Sequence, residues 1–182
     1  PWRDVLPRRP QLTLLDESGL RTAGLNALLH GAVEIVKPES ALVVHGDLPL
    51  LSAADIDAVQ RRLQDSDLVL CPDAARSGTN ALAFRAGSTP SFQFGQDSFA
   101  AHRRFAESRH DRWSLLAREG FARDVDTPAD LARLLHHVSA EKPVGPATAR
   151  WAERYGPAVA ESLPRRSCEP VAPVAQGAGA AL

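Results

Sequence analysis

Ala41-Leu42-Val43-Val44-His45 is apolar without alternation, and it stops abruptly at Gly46-Asp47-Leu48-Pro49. An unbroken apolar run of this length reads as a strand covered on both faces, as in the parallel sheets of α/β proteins. The segments on either side of it have helical character. Gly24 to Val36 places Leu25, Leu28, Leu29, Ala32, Val33 and Val36 at helical spacing, and Lys37-Pro38 ends that helix. After the strand, Ser52 is positioned to cap a second helix, with Asp55 three residues on in a capping-box arrangement.

The alternation continues along the chain. Strands are expected over Asp67–Cys71 and Ala81–Arg85, with Pro72-Asp73 ending the first. A helix is expected over Asp97–Ser108, followed by two short strands, Trp113–Ala117 and Phe121–Asp124. Thr127-Pro128 opens a further helix, Thr as N-cap and Pro at its first position, reaching about His137. Arg150 to Leu163 is expected to be helical but broken at Gly156-Pro157. Strands alternating with helices at this spacing predict an α/β three-layer sandwich with a mostly parallel central sheet. The expected organisation is an irregular lead-in over 1–10, with Gln11–Leu15 beyond it as a short strand. An α/β domain covers 11–140, and over 141–182 a helix gives way to a disordered tail.

Composition narrows the function classes. The 182 residues carry 21 Lys+Arg against 22 Asp+Glu, a formal net charge of −1, which argues against nucleic-acid binding through bulk charge. A hydrophobic content of 44% is ordinary for a globular chain. No apolar run is long enough for a bilayer, and no secretory signal pattern is present. Cys71 and Cys168 fit no metal spacing, and they suit a reducing cytoplasm better than a disulfide framework. The chain opens on Pro1 and has no Met, so an incomplete N-terminus is expected.

Open α/β sheets bind ligands beyond the carboxyl ends of their strands. Asp47 follows the apolar run, and Asp124 and Asp126 follow the strand expected at Phe121. Carboxylates at one sheet edge form a hard-oxygen set suited to Mg²⁺. The alternatives are a turn residue for Asp47 and a helix-preceding residue for Asp126. Ser77-Gly78-Thr79-Asn80 offers hydroxyls and backbone N–H groups to a phosphate or carboxylate, or is a plain hairpin turn. Gly95 permits close backbone approach, and Ser98 stands near a helix N-terminus where anions are welcome. A glycine turn and a helix cap would explain the same residues. The six histidines form no ligand pattern. His45 reads as core packing, His136-His137 as a helix-end surface pair, and Cys71 as a small buried residue without a basic partner.

Gly46-Asp47-Leu48-Pro49-Leu50-Leu51 is similar to a segment of nucleotidyltransferases with the molybdopterin-guanylyltransferase-like fold. Three further segments narrow the likeness. They are Pro72-Asp73 with Gly78-Thr79-Asn80-Ala81-Leu82, then Phe92 to Phe99 with His102, then Asp124-Val125-Asp126-Thr127-Pro128-Ala129-Asp130-Leu131. In this order, and with Gly24-Leu25-Asn26 at a helix start, they resemble the 2-phospho-L-lactate and phosphoenolpyruvate guanylyltransferase family over about Leu12 to His137.

The resemblance implies a nucleotide-diphospho-sugar-transferase-like sheet and GMP transfer from GTP to a phosphorylated three-carbon acid, in biosynthesis of the deazaflavin coenzyme F-420. It implies Mg²⁺ on Asp47, Asp124 and Asp126, the acceptor acid on Thr79, Gly95 and Ser98, and Asn26 near the nucleotide. It also implies an N-terminal strand and a glycine- and basic-residue-bearing triphosphate loop, which residues 1–10 do not match. Two other readings remain open. One takes Asp124-Val125-Asp126 as the D-x-D motif of a glycosyltransferase, though that motif usually precedes an acceptor-binding half. The other is a non-catalytic remnant that binds a phosphorylated acid or a protein partner.

Overall fold

A computed structural model of the chain describes residue 15 and residues 24–109 and 112–163. The lead-in, residues 11–14 of the expected first strand, and the tail beyond 163 with Cys168 lie outside the described residues. The chain forms two compact units, Pro1–Lys37 and Pro38–Leu182. In the first, helix α1 covers Leu25–Val36 and closes on Lys37 in the left-handed conformation, whose N–H bonds back to the Val33 carbonyl.

The second unit is the α/β layer. It runs β1 (Ser40–Val44), α2 (Ala53–Asp65), β2 (Leu68–Pro72), β3 (Thr79–Arg85), α3 (Ser98–Arg109), β4 (Trp113–Leu115), α4 (Glu119–Ala122), α5 (Pro128–Ser139) and α6 (Pro146–Ser162). Among the described residues the sheet order is β1-β3-β2-β4. β3 pairs antiparallel with both β1 and β2, and β4 pairs parallel with β2. Three strands therefore point one way and β3 runs against them, giving a mixed sheet.

Strand periodicity divides the core into two faces. Val69 and Cys71 of β2 oppose Ala83 and Ala81 of β3, which in turn oppose Leu42 and Val44 of β1. These residues pack with Ala58 and Val59 of α2 and Phe121 of α4 in one cluster. The alternate residues turn the other way: Leu68 opposite Phe84 and Leu70 opposite Leu82. On that side Phe84 packs edge-on to Phe92, and α3 buries Phe99, His102 and Ala106. Every residue of β2 is buried, whereas β1, the run expected to be covered on both faces of a parallel sheet, is only partly buried, stands at the edge of the sheet among the described residues and pairs antiparallel with β3.

Both predicted helix starts occur. The Ser52 backbone N–H and hydroxyl donate to Asp55 Oδ2 at 2.9 and 2.6 Å. Thr127 and Asp130 form the reciprocal pair at α5, with Pro128 in the first turn.

Two expectations are corrected. Phe121–Asp124 is not a strand, because Glu119–Ala122 forms the single-turn helix α4. A short apolar run does not distinguish a strand from a buried helical turn. Here Gly120, Phe121 and Ala122 are all buried, and Gly120 lies so close to Asp55 that a Cβ would stand 2.2 Å from Oδ2. Nor is the last helix broken at Gly156-Pro157, since α6 runs through Pro157. A proline inside a helix removes one backbone hydrogen bond. The helix is held there by packing, with Gly156 tight against Leu135 of α5: a Cβ would lie 3.1 Å from its Cδ2.

Candidate functional site

β3 begins with an irregularity that shapes the site. Cys71 pairs with Ala81, but Pro72 pairs with Thr79, so one residue of β3 is extra. A bulge of this kind reverses the facing of the residues beyond it. By strict alternation Thr79 would share the face of Ala81 and Ala83, and Asn80 that of Leu82 and Phe84. The hydrogen bonds run the other way. Thr79 Oγ1 meets His102 of α3 at 3.0 Å, and Asn80 Nδ2 donates to the carbonyl of Phe121 in α4 at 2.9 Å.

On the α4 side stand the acidic residues. The Val125 N–H donates to the Asp47 carbonyl at 3.2 Å, which lays the loop after β1 beside the Asp124–Asp126 segment. Asp126 is exposed and its N–H reaches Asp130 Oδ2 at 3.3 Å, so the cap of α5 fixes its backbone. Burial lifts the Asp124 carboxyl above the usual carboxylate range. Its own backbone hydrogen bond and one from Asn80 offset part of this, while the charges of Asp126 and Asp47 add to it. Asp126 and Asp47 thus both lie within electrostatic reach of Asp124. Among the described residues, no group of three or more acidic, His or Cys side chains stands arranged to hold an ion by itself.

The frame beneath this corner is an internal ion pair. Arg118 Nε donates to Asp55 Oδ1 at 2.6 Å, and Asp55 is 4% exposed. Burial pushes Asp55 up, but Ser52 and Arg118 outweigh it and hold its carboxyl below the usual range. The bond joins the start of α2 to the loop before α4. That junction is where Gly120 is obligatory, for lack of room.

On the α3 side, the predicted anion-binding residues come together. The Thr79 N–H donates to Ser98 Oγ at 2.9 Å, and the Ser98 N–H donates to the Gly95 carbonyl at 3.2 Å. Gly95 has φ +137°, and a Cβ there would meet nothing within 4 Å. The glycine serves the backbone conformation, and its face is open. Thr79 and Ser98 are 1% and 2% exposed, so a ligand meets the exposed Gly95 edge before their hydroxyls. The loop before Thr79 is ordered by Asp73, which accepts from the Ser77 N–H and hydroxyl at 2.8 Å each. Asn26 sits in the first turn of α1, in the other unit.

Sequence reasoning placed Asn80 only within the turn Ser77 to Asn80 and gave no role of its own to Asn80 or His102. His102 stands four residues after Ser98, on the same helix face, a spacing that marks it as a neighbour. Asn80 carries no such signal, because the bulge reverses its expected side. Cys71 is buried and unpaired as expected, and burial pushes its thiol far up. His136 is exposed at the end of α5, and His137 is half-buried. His45 packs against Phe94 with ring centroids 5.2 Å apart.

Residues 11–144 match the family described as "Guanylyl transferase CofC like". A phosphoenolpyruvate guanylyltransferase of Sphaerobacter thermophilus is 38% identical over 143 residues, covering 76% of this chain and 64% of that protein. A 3-phospho-D-glycerate guanylyltransferase of Phenylobacterium zucineum is 40% identical, covering 60% of this chain and 52% of the relative. A 2-phospho-L-lactate guanylyltransferase of Methanopyrus kandleri is 32% identical, covering 72% and 86%. The chain spans 61% to 64% of the length of three of the phosphoenolpyruvate guanylyltransferases that it matches. A solved structure from Desulfovibrio desulfuricans G20, named as a nucleotide-diphospho-sugar transferase, superposes with a TM-score of 0.63 at 16% identity. It covers 78% of this chain and 64% of that one, and it bears out the fold. The chain belongs to the CofC-like guanylyl transferase family.

Proposed function

From that membership we propose that the protein transfers GMP from GTP to a phosphorylated three-carbon acid, releasing pyrophosphate, in biosynthesis of coenzyme F-420. The names of the relatives differ only in the acid, which is phosphoenolpyruvate, 3-phospho-D-glycerate or 2-phospho-L-lactate. Their shared chemistry is a phosphate and a carboxylate on three carbons.

One observation carries the reading. The bulged start of β3 sends Asn80 toward the acidic corner and Thr79 toward the Ser98–Gly95 cluster. On this reading a cation site and an anion site would lie back to back across two adjacent residues. An acceptor phosphate is already anionic, so the reaction needs no strong base. What it needs is two anions brought into line and their charge offset.

The acidic corner fits Mg²⁺ by donor chemistry, because its oxygens are hard and its charges repel one another. Mg²⁺ is commonly bound through one or two carboxylates together with substrate phosphates and water. Such a mode agrees with three carboxylates that do not close a cage on their own. Asp47, Asp124 and Asp126 would hold it, and it would supply charge neutralisation at the phosphates. Asn80 orients Asp124. Gly95 and the hydroxyls of Thr79 and Ser98 receive the acceptor acid. Asn26 is proposed to approach the nucleotide. The near-neutral charge and the free Cys71 fit a cytoplasmic enzyme that binds no nucleic acid.

The test is pyrophosphate release by the full gene product carrying this sequence, supplied with GTP, Mg²⁺ and each of the three acids. Release with at least one acid, abolished by chelation and by Asp126→Asn with the fold intact, is the expected result. Turnover indifferent to both would refute the metal site, and no release with any acid would refute the activity.

A further inference from the structure

His102 is fully buried, yet it is the junction of the anion-binding cluster. Its Nε2 lies 3.0 Å from the backbone nitrogen of Gln93, and its Nδ1 lies 3.0 Å from Thr79 Oγ1. A backbone N–H can only donate, so Nε2 must present a lone pair. A neutral ring then carries its single proton on Nδ1, and that proton is directed at the Thr79 oxygen. The Phe94 ring packs edge-on against the imidazole, centroids 4.9 Å apart, and shields it from water. Burial lowers the His102 pKa to about 4, which keeps the ring neutral at ordinary pH.

The consequence reaches the hydroxyl. Thr79 Oγ1 accepts from Nδ1–H, so its own proton turns away from the imidazole and is available to donate elsewhere. Ser98 Oγ is set the same way, since it accepts the Thr79 N–H. Both hydroxyls are made donors by protein groups behind them. A carboxylate or phosphate only accepts, so the cluster is polarised toward an anion. The same imidazole grips Gln93, two residues before Gly95, and so braces the loop that carries the open glycine face.

We infer that His102 is a positioning residue that fixes the Thr79 hydroxyl as a hydrogen-bond donor for the acceptor anion. The inference rests on the acceptor-site reading above and adds a residue to it.

Two measurements test it on the full gene product. In ¹⁵N NMR of the histidine-labelled wild-type protein at pH 7, His102 should show a protonated Nδ1 and a bare Nε2. A proton on Nε2, alone or on both nitrogens, would overturn the inference whatever the variants do. The variants separate the two contacts. His102→Asn keeps a donor at the Nδ1 position, whereas His102→Gln keeps an acceptor near the Nε2 position and withdraws the donor from Thr79. His102→Gln should raise the KM for phosphoenolpyruvate roughly three- to tenfold, the loss of one hydrogen bond, with the KM for GTP unchanged. His102→Asn should recover most of that loss, and adding His102→Gln to Thr79→Ala should cost nothing further. Equal effects on both substrates, no rescue by Asn, or additive losses would point to a purely structural histidine. If Thr79→Ala itself leaves the phosphoenolpyruvate KM unchanged, the acceptor-site reading fails. If Thr79→Ala weakens it and His102→Gln does not, only the role of His102 fails.

Discussion

The two sides of the β3 bulge handle polar groups in opposite ways. Toward α3, Thr79, Ser98, His102 and Gln93 form a chain in which each backbone or ring N–H meets an acceptor within the protein. Toward α4, Asp124 is half-buried, and burial, with the charges of Asp126 and Asp47 added to it, raises its cost of ionisation. The first network consolidates the fold and aims hydroxyls. The second concentrates negative charge that no ion pair neutralises among the described residues, and such a place favours a cation over the empty arrangement of charges.

The comparison can be broken most severely at the frame both sides share. Asp55→Ala removes the N-terminal box of α2 and leaves Arg118 without its buried carboxylate. The expected loss is about 2–4 kcal/mol of stability in denaturant unfolding. A loss under about 0.5 kcal/mol, the scatter of ordinary surface substitutions, would show that α4 is held by packing alone.

The next effect is read by acid. His102 has its folded-state pKa depressed from 6.5 to about 4, so the unfolded chain binds the proton more readily. Its contribution is fully present above pH 6.5 and is lost as pH falls toward 4, up to about 3 kcal/mol in all. Stability measured from pH 7 to pH 4 should fall less steeply in His102→Asn than in the wild type. Parallel curves would mean that the ring does not resist protonation.

The smallest effect lies at the acidic corner and has the opposite sign. Asp124→Asn removes a repelled charge while leaving an acceptor for Asn80. Stability should hold or rise by up to about 1 kcal/mol, even as metal-dependent turnover disappears. A clear loss of stability would place Asp124 among the consolidating groups and erase the contrast between the two sides.

The sequence by itself determined a good deal. The unbroken run Ala41–His45, the capping pairs Ser52/Asp55 and Thr127/Asp130, and the helical spacing of Leu25 to Val36 correspond to observed elements, because each signal is local. The acidic and hydroxyl candidates were also legible as residues, although Asp124 and Asp126 follow the α4 turn rather than the strand expected there, Thr79 opens β3 and Ser98 opens α3. Their partnership was not. Phe121 looked like strand because a four-residue apolar turn has no period of its own, and only the space beside Asp55 makes it helical. The helix through Pro157 survives because α5 packs against it, which a local helix-breaking rule does not register. Above all, which way Thr79 and Asn80 face was decided by tertiary structure. Alternation along a strand is a local rule, but the extra residue that reverses it exists only where β3 meets β2, and pairing between strands is set by distant parts of the chain.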